Sequence, residues 1–273
     1  MPHLENSEMQ IEVFDQINTK LGAPHELDRG GLFGDGFFTT GVIYQKRFCH
    51  QQRHFERLIT SANRLLYDGL DFSKLKDQLN QLVYKADHAA IRISISRQQT
   101  QRGYAISADA NYRCTILLSA LPDLPSTNCE LIDAQTAISC NPTLAGLKHL
   151  NRLDSVLAAS EISKANQEVL MYHEGLVISG SKSNLFIKLN GVWQTPQLSY
   201  CGIAGITRDR IIEIFKQKNI QWSITDIKRA DIANVDAAFV TNSLLGVWPV
   251  ASINNKVISV EDSDHIRKLI TRT

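Results

Sequence analysis

Two kinds of hydrophobic pattern alternate along the first half of the chain. Apolar residues recur at three- and four-residue intervals through HFERLITSANRLL at 54–66 and KLKDQLNQLVYKA at 74–86, which predicts two amphipathic helices. Short apolar runs, alternating or continuous, predict strands at 11–14, 39–45, 90–97 and 114–121. The glycine-rich GGLFGDGF at 30–37 separates the first two strands. This half is therefore predicted to mix helices and strands.

The second half continues the same mixture. Strands are predicted near 129–138, 168–172, 183–189 and 237–242, and helices near 150–165 and 207–219. The first of these helices is expected to bury one apolar face, with Lys148 near its entrance; the face would consist of Leu147, Leu150, Leu153, Val156, Leu157 and Ile162.

A proline-containing segment divides the two halves. PDLPSTN at 122–128 combines two prolines with turn-forming residues after an apolar strand, which is typical of a linker. The sequence thus predicts an α/β (α+β) protein of two domains, residues 1–121 and 129–273. A cleft between two such domains is a favoured place for a ligand.

Composition narrows the classes of function. The 273 residues carry a formal net charge of +1 and 43% are hydrophobic, so neither nucleic acid nor an anionic membrane is an expected partner. No signal-like start and no membrane-length apolar stretch is visible, which predicts a cytoplasmic protein. The five cysteines are scattered without a C-x-x-C pair. Neither a disulfide framework nor a metal site is therefore predicted.

The stretch AGLKHLNRLDSVLAASEI at 145–162 places a single lysine, Lys148, among apolar residues. An unprotonated lysine amine attacks carbonyls, and a desolvated position favours that form. Taken alone, the stretch fits better a structural lysine whose amine reaches water along its apolar stem.

Three other motifs contain candidate anion-binding groups. GIAGITRDRII at 202–212 leads two glycines into a helix whose first turn could hold a phosphate, although Thr207 could simply cap that helix. Arg57 could clamp a phosphate or be a solvated helix arginine. QRGY at 101–104 could read a carboxylate or form a surface turn.

Taken in order, these motifs resemble those of the fold type IV pyridoxal-phosphate enzymes, the class-IV aminotransferase family. The similarity runs from about residue 28 to 250 and is nearest to the aminodeoxychorismate lyases of that family. The strongest motifs are FGDGFFTT at 33–40, HFERL at 54–58, NPTLAGLKHLNRLDSVLA at 141–158, SNLF at 183–186 and GITR at 205–208. The resemblance implies a homodimer that binds pyridoxal 5'-phosphate in the interdomain cleft.

The resemblance also implies roles for residues that bind the cofactor. Lys148 would form a Schiff base with the cofactor aldehyde and later move protons. Arg57 would grip the phosphate, together with the amides of Ile206 and Thr207 and the Thr207 hydroxyl. Further phosphate contacts fall at Asn242 and Ser243.

Other residues would act on the substrate. Thr40 lies close to where the lyases put a hydroxyl near the reacting substrate. Arg102 and Tyr104 match an R-G-Y segment that the resemblance assigns to substrate carboxylates.

One position departs from the family pattern. In VISGSKSNLF, Ser179 stands where the family usually has a glutamate that pairs with the pyridine nitrogen of the cofactor. A neutral hydroxyl cannot form that ion pair, so the cofactor should be a poorer electron sink. An elimination whose product gains an aromatic ring can tolerate a weaker electron sink, whereas transamination cannot do so as well.

The expected function is that of a 4-amino-4-deoxychorismate lyase, which makes 4-aminobenzoate and pyruvate for folate synthesis from a small-molecule substrate. Two alternatives remain open. One is a D-amino-acid or branched-chain aminotransferase on the same fold. The other, kept open by Ser179, is a non-catalytic scaffold.

Overall fold

The computed structural model describes residues 10–15, 29–98, 103–107 and 110–270. The chain forms two compact units. The first contains residues up to 122 together with 148–151, and the second contains 123–147 and 152–272. The domain limits of 1–121, 122–128 and 129–273 stay a prediction.

The first unit is built on an antiparallel sheet with the strand order β1-β5-β4-β2-β3. Its strands are β1 (Gln10–Asp15), β2 (Gly36–Tyr44), β3 (Arg47–Phe48), β4 (His88–Arg97) and β5 (Tyr112–Ser119). Its helices are α1 (Arg29–Phe33), α2 (Gln51–Arg64) and α3 (Phe72–Val83). The two predicted amphipathic helices and the four predicted strands are all present in this unit, with shifted ends.

The core of the first unit lies between its helices and one face of its sheet. Leu58 of α2 and Leu79 of α3 are buried in one cluster with Phe37, Ile91 and Ile116 from the strands. Helix α3 begins cleanly because the Asp71 carboxylate accepts a hydrogen bond from the Lys74 amide. Side chains of alternate strand residues point to the opposite face of the sheet, which is where Lys148 lies.

The second unit contains a larger, mixed sheet with the strand order β11-β10-β9-β13-β14-β6-β7-β8-β12, and β15 pairs with β14. The pairs β10–β11, β14–β6 and β6–β7 are parallel. The strands are β6 (Cys129–Asp133), β7 (Gln167–His173), β8 (Leu176–Ser179), β9 (Asn184–Leu189), β10 (Val192–Pro196), β11 (Trp222–Thr225), β12 (Ile227–Lys228), β13 (Ala237–Asn242), β14 (Gly246–Ile253) and β15 (Lys256–Val257). The helices are α4 (Leu153–Ser160), α5 (Ile206–Gln217), a 3-10 turn at Arg229–Asn234 and α6 (Glu261–Leu269).

The helix predicted near 150–165 is shorter than its apolar pattern indicates. Helix α4 begins at Leu153, and the expected apolar face is buried only in part. Leu147 is buried, and Leu150 and Ile162 are half-buried. The three residues within α4, Leu153, Val156 and Leu157, are 70%, 61% and 50% exposed. Residues 148–150 instead bond to the backbone of β2 as extended chain. Backbone hydrogen bonds to a neighbouring strand have overridden the helical period here.

No helix within the described ranges is both long and apolar enough to cross a membrane. The mixture of sheets and helices agrees with the fold class expected from the sequence.

Candidate functional site

Lys148 is held by a short backbone ladder along β2. The Phe38 amide donates to the Lys148 carbonyl over 2.9 Å, and the Leu150 amide donates to the Gly36 carbonyl over 2.9 Å. Phe37 and His149 form an antiparallel bridge between these two bonds. The backbone of Lys148 is therefore extended and hydrogen-bonded to β2, and it is not part of a helix.

The amine of Lys148 lies against an aromatic ring that it shares with an arginine. Its Nζ is 4.5 Å from the centroid of the Phe38 ring, and the guanidinium carbon of Arg92 is 3.7 Å from the same centroid. The Arg92 Nε also donates to the Ser94 hydroxyl over 3.0 Å. Burial lowers the pKa of Arg92. A desolvated cation of this kind favours an anionic partner.

Thr40 lies on the same sheet face as these groups. It is directly opposite Arg92 in the β2–β4 ladder, and it follows Phe38 by two residues on β2. Residues two apart on a strand share a face, and directly paired residues lie side by side. Lys148 and Arg92 thus both contact the Phe38 ring, and Thr40 lies beside Arg92 on the same face of the sheet, so an amine, a hydroxyl and a guanidinium share this face.

The opposite face of β2 carries a buried polar pair. The Thr39 Oγ1 and His54 Nδ1 are 2.6 Å apart, and both residues are buried. Burial, and next the nearby charge of Arg57, lowers the pKa of His54 to about 3, so the imidazole is neutral at neutral pH. Arg57 itself is half-buried on α2, one turn after His54.

In the second unit, helix α5 begins without a capping side chain. Gly205 is the N-cap residue, and no side chain bonds to the first-turn amides from that position. Thr207 is buried, and within the described residues its hydroxyl has no hydrogen-bond partner. Free first-turn amides beside a buried hydroxyl form a donor set that suits a phosphate dianion.

The loop before α5 is fixed from two sides. Gly146 and residues 202–204 exchange backbone hydrogen bonds of 3.0 Å, and the Asn184 side-chain amide donates to the Ile203 carbonyl over 2.8 Å. A Cβ on Gly205 would lie 2.0 Å from the Asn184 Oδ1, so a larger residue here would displace the Asn184 side chain from its hydrogen bond to Ile203.

Arg208, in the first turn of α5, bonds to the neighbouring strand β10. Its buried guanidinium donates to the Thr195 hydroxyl over 3.1 Å and to the Pro196 carbonyl over 3.1 Å. These bonds tie α5 to β10 and leave the neighbouring Thr207 hydroxyl available for a ligand.

Ser179 ends β8 and is buried, and the residues that follow it form a cluster around the carboxylate of Glu168. Within the described residues its hydroxyl has no hydrogen-bond partner. The fully buried Glu168 carboxylate accepts from the Ser181 amide, the Ser181 hydroxyl and the Ser183 hydroxyl over 3.0, 2.7 and 2.9 Å. Gly180 fits against this cluster because a Cβ there would lie 2.8 Å from the Glu168 Cδ. Glu168 thus fixes the turn that follows Ser179.

The turn after β13 uses the side chain of Asn242 internally. The Asn242 Oδ1 accepts from the Leu244 and Leu245 amides over 2.9 and 2.8 Å, and its Nδ2 donates to the Lys182 carbonyl over 3.2 Å. Ser243 is half-buried in the same turn. Asn242 therefore shapes this turn with its own side chain.

The R-G-Y segment is described only in part, because Arg102 lies outside the described residues. Tyr104 is exposed, and its ring centroid lies 5.0 Å from that of Phe33. Arg29 donates to the carbonyls of residues 103–105.

Three residues that matter for these arrangements are not singled out by the sequence pattern: Arg29, Arg92 and Glu168. Arg92 interrupts the apolar alternation of AIRISISR, which is a usable signal for a cation on one face of a strand. Arg29 and Glu168 carry no such signal, because their partners are distant in sequence.

Known proteins resemble this chain over most of its length. The family model for amino-transferase class IV matches residues 36–253. An aminodeoxychorismate lyase from Vibrio harveyi is 30% identical over 233 residues, which cover 83% of this chain and 86% of the relative. A D-alanine aminotransferase from Bacillus licheniformis is 25% identical over 236 residues, which cover 85% of this chain and 83% of the relative.

Solved structures agree with these sequence similarities. The crystal structure of 4-amino-4-deoxychorismate lyase from Pseudomonas aeruginosa matches with a TM-score of 0.87 and 30% sequence identity, over 94% of this chain and 97% of that one. The chain therefore belongs to the class IV aminotransferase family and has its fold.

Proposed function

We propose that this chain is a pyridoxal-phosphate-dependent 4-amino-4-deoxychorismate lyase. The reaction removes the proton from ring C4 and breaks the bond between ring C3 and the ether oxygen. The products are 4-aminobenzoate and enolpyruvate, which becomes pyruvate, so no oxidant or water is consumed.

One observation carries the proposal most directly, the presence of Lys148, Thr40 and Arg92 on the sheet face of Phe38. The elimination needs a base for a carbon-bound proton, a donor for the departing oxygen and a cation for a substrate carboxylate. An amine, a hydroxyl and a guanidinium on one sheet face supply these three groups.

The residues of the second unit suit the cofactor phosphate. The uncapped first turn of α5 offers the amides of Ile206 and Thr207, and the Thr207 hydroxyl is without a partner in the described residues. The family resemblance assigns further phosphate contacts to Arg57 and to Asn242 and Ser243. The bound cofactor would withdraw electrons from the carbon that bears the substrate amine and so ease removal of its proton.

Each side chain of the group then has one task. Lys148 would hold the cofactor through its side-chain amine and, once that amine is free, would take the proton from ring C4. Thr40 or Lys148 passes a proton to the departing ether oxygen. Arg92 pairs with a substrate carboxylate, and the segment with Arg102 and Tyr104 orients the substrate.

Ser179 supports elimination over transamination. Its neutral hydroxyl cannot hold a proton on the pyridine nitrogen by an ion pair, which weakens the electron sink. Transamination would depend on the cofactor as an electron sink, whereas the elimination gains the stability of an aromatic ring. A weaker sink therefore harms transamination more.

A pair of assays on the purified holoenzyme separates the candidate functions. With aminodeoxychorismate, we expect 4-aminobenzoate and pyruvate in equal amounts, and loss of both products in Lys148→Ala. With D-alanine or a branched-chain amino acid and 2-oxoglutarate, we expect little glutamate. Robust glutamate formation without 4-aminobenzoate would establish an aminotransferase instead, and no product in either assay would favour the non-catalytic scaffold.

A homodimer is part of the proposal. The exposed apolar side chains of α4, Leu153, Val156 and Leu157, support it, because contiguous exposed apolar residues on a helix mark an interaction surface.

A further inference from the structure

A buried arginine in the first unit bonds to three consecutive carbonyls of a loop. Arg29, 4% exposed, donates from Nη1 to the Gly103 and Ala105 carbonyls over 2.9 and 3.3 Å. Its Nη2 donates to the Tyr104 carbonyl over 3.0 Å. Its Nε donates to the Asp35 carboxylate over 2.8 Å. The guanidinium thus joins the glycine-rich segment before β2 to the loop after β4.

We propose that Arg29 is a positioning residue that sets the conformation of residues 103–105 and thereby holds Tyr104 ready for a carboxylate of the substrate. This inference rests on the proposed function, since that function assigns substrate recognition to the segment containing Tyr104.

Among the described residues, the side chains of 103–105 contribute little to holding this segment in one conformation. Tyr104 is 81% exposed, so its side chain contributes little buried area to the fold. Its ring contact is with Phe33, which also lies under the Arg29 guanidinium at 5.2 Å. Gly103 has a φ of +96°, which gives the turn its shape without fixing it. Within the described part of the chain, the charge-assisted bonds from Arg29 are the hydrogen bonds that hold residues 103–105.

Such an anchor has a functional consequence. Ordering a loop only when substrate arrives costs conformational entropy and weakens binding. A guanidinium buried with a carboxylate partner is expensive to move and has a fixed fork geometry. Arg29 therefore holds the loop in one conformation before binding, which lowers the KM for a substrate that carries carboxylates.

Arg97 provides a matched control within the same cluster. It is 2% exposed, and its Nη1 donates to the same Asp35 oxygen over 3.0 Å. Its Nη2 donates to the Leu65 and Leu66 carbonyls instead, over 2.9 and 2.8 Å. The two arginines share burial and a carboxylate but hold different loops.

The test compares Arg29→Gln, Arg29→Lys and Arg97→Gln as holoenzymes. In Arg29→Gln we expect the KM for aminodeoxychorismate to rise about tenfold with kcat within about twofold, the effect of losing a few charge-assisted bonds that act on binding. Arg29→Lys should be intermediate, since an ammonium can replace some bonds but not the fork. Arg97→Gln should lower thermal stability at least as much while leaving KM unchanged.

Hydrogen exchange of residues 103–107 gives an independent measurement that needs no turnover. Faster exchange there in Arg29→Gln, but not in Arg97→Gln, is expected. Equal KM values for Arg29→Gln and wild type would overturn the proposal, and so would equal exchange in this segment. If the wild-type enzyme releases no 4-aminobenzoate, the proposed function fails, and the exchange result still decides whether Arg29 sets the loop.

Discussion

Ser179 is the single side chain on which the proposed choice between elimination and transamination depends most. The family resemblance assigns its position to a glutamate that pairs with the pyridine nitrogen, and here a buried hydroxyl ends β8 instead. The nearby buried carboxylate, Glu168, is already engaged by Ser181 and Ser183. The position is thus neutral, and the turn around it is firmly held.

Restoring the carboxylate should restore the electron sink. In Ser179→Glu we expect transamination of an amino acid with 2-oxoglutarate to rise by about tenfold or more, because an ion pair stabilises the protonated pyridine. The measurement is glutamate formation relative to 4-aminobenzoate formation. Ser179→Ala is the control and should behave as wild type in this ratio. An unchanged ratio in Ser179→Glu would contradict the role given to this position.

His54 makes stability depend on pH. Its pKa is lowered from 6.5 to about 3 by burial, so the unfolded chain binds the proton more tightly than the folded one. The stability that the neutral His54 contributes is therefore fully present above pH 6.5. It is lost as the pH falls from 6.5 toward 3, by up to about 1.4 kcal/mol per pH unit.

The comparison of wild type with His54→Asn isolates this contribution. Asparagine can keep a hydrogen bond to the Thr39 hydroxyl but does not titrate. Denaturant unfolding between pH 7 and pH 5 should show a smaller loss of stability in the variant than in wild type. Parallel curves for the two proteins would show that His54 is not buried as a neutral group.

At the scale of elements, the start of α5 is the part of the fold that suits the phosphate of the proposed cofactor. Its glycine N-cap leaves the first-turn amides uncapped, while Asn184 and Arg208 fix the flanking loop and β10. This rigidity allows a helix terminus to bind an anion without first ordering a loop.

Thr207→Val should weaken pyridoxal-phosphate binding about tenfold, because it removes one hydroxyl donor to the phosphate while keeping the shape. The measurement is a dissociation constant from titration of the apoenzyme. Thr207→Ser, which keeps the hydroxyl, should bind nearly as wild type. Equal affinities for the valine and serine variants would remove this hydroxyl from the phosphate site.

The spacing of apolar residues along the chain predicts a helix or strand well where one face of that element packs on the core. The helices α2, α3 and α5 and the strands β2, β4 and β5 are read from their apolar periods, and the family prediction is confirmed. Helix α4 is mispredicted because backbone bonds to β2 keep residues 148–150 extended, and its apolar face remains exposed. Such long-range pairing leaves no trace in a local period.

Some residues of the candidate site are likewise predicted from local sequence, whereas others depend on contacts between distant parts of the chain. Lys148 is found through its motif, but its neighbour Arg92 becomes evident only once β4 is paired with β2. Arg29 and Glu168 depend on partners far away in sequence, so only the folded chain reveals them.

At the scale of the whole molecule, the exposed face of α4 predicts self-association. Leu153→Asp combined with Val156→Asp should shift the proposed dimer toward monomer, because two charges would be buried at the interface. Light scattering after gel filtration measures this. The control is Val257→Asp, which places a charge at an apolar position on β15 that is 80% exposed. A dimer unaffected by the α4 changes would locate the interface elsewhere.

Borohydride reduction of the purified holoenzyme tests most directly whether Lys148 is the residue that carries the cofactor. The account predicts that reduction bleaches the visible absorbance and fixes one phosphopyridoxyl group on the peptide containing Lys148. Lys148→Ala should show neither the absorbance nor the modified peptide. A wild-type protein without the absorbance, or a modified lysine other than Lys148, would contradict the account.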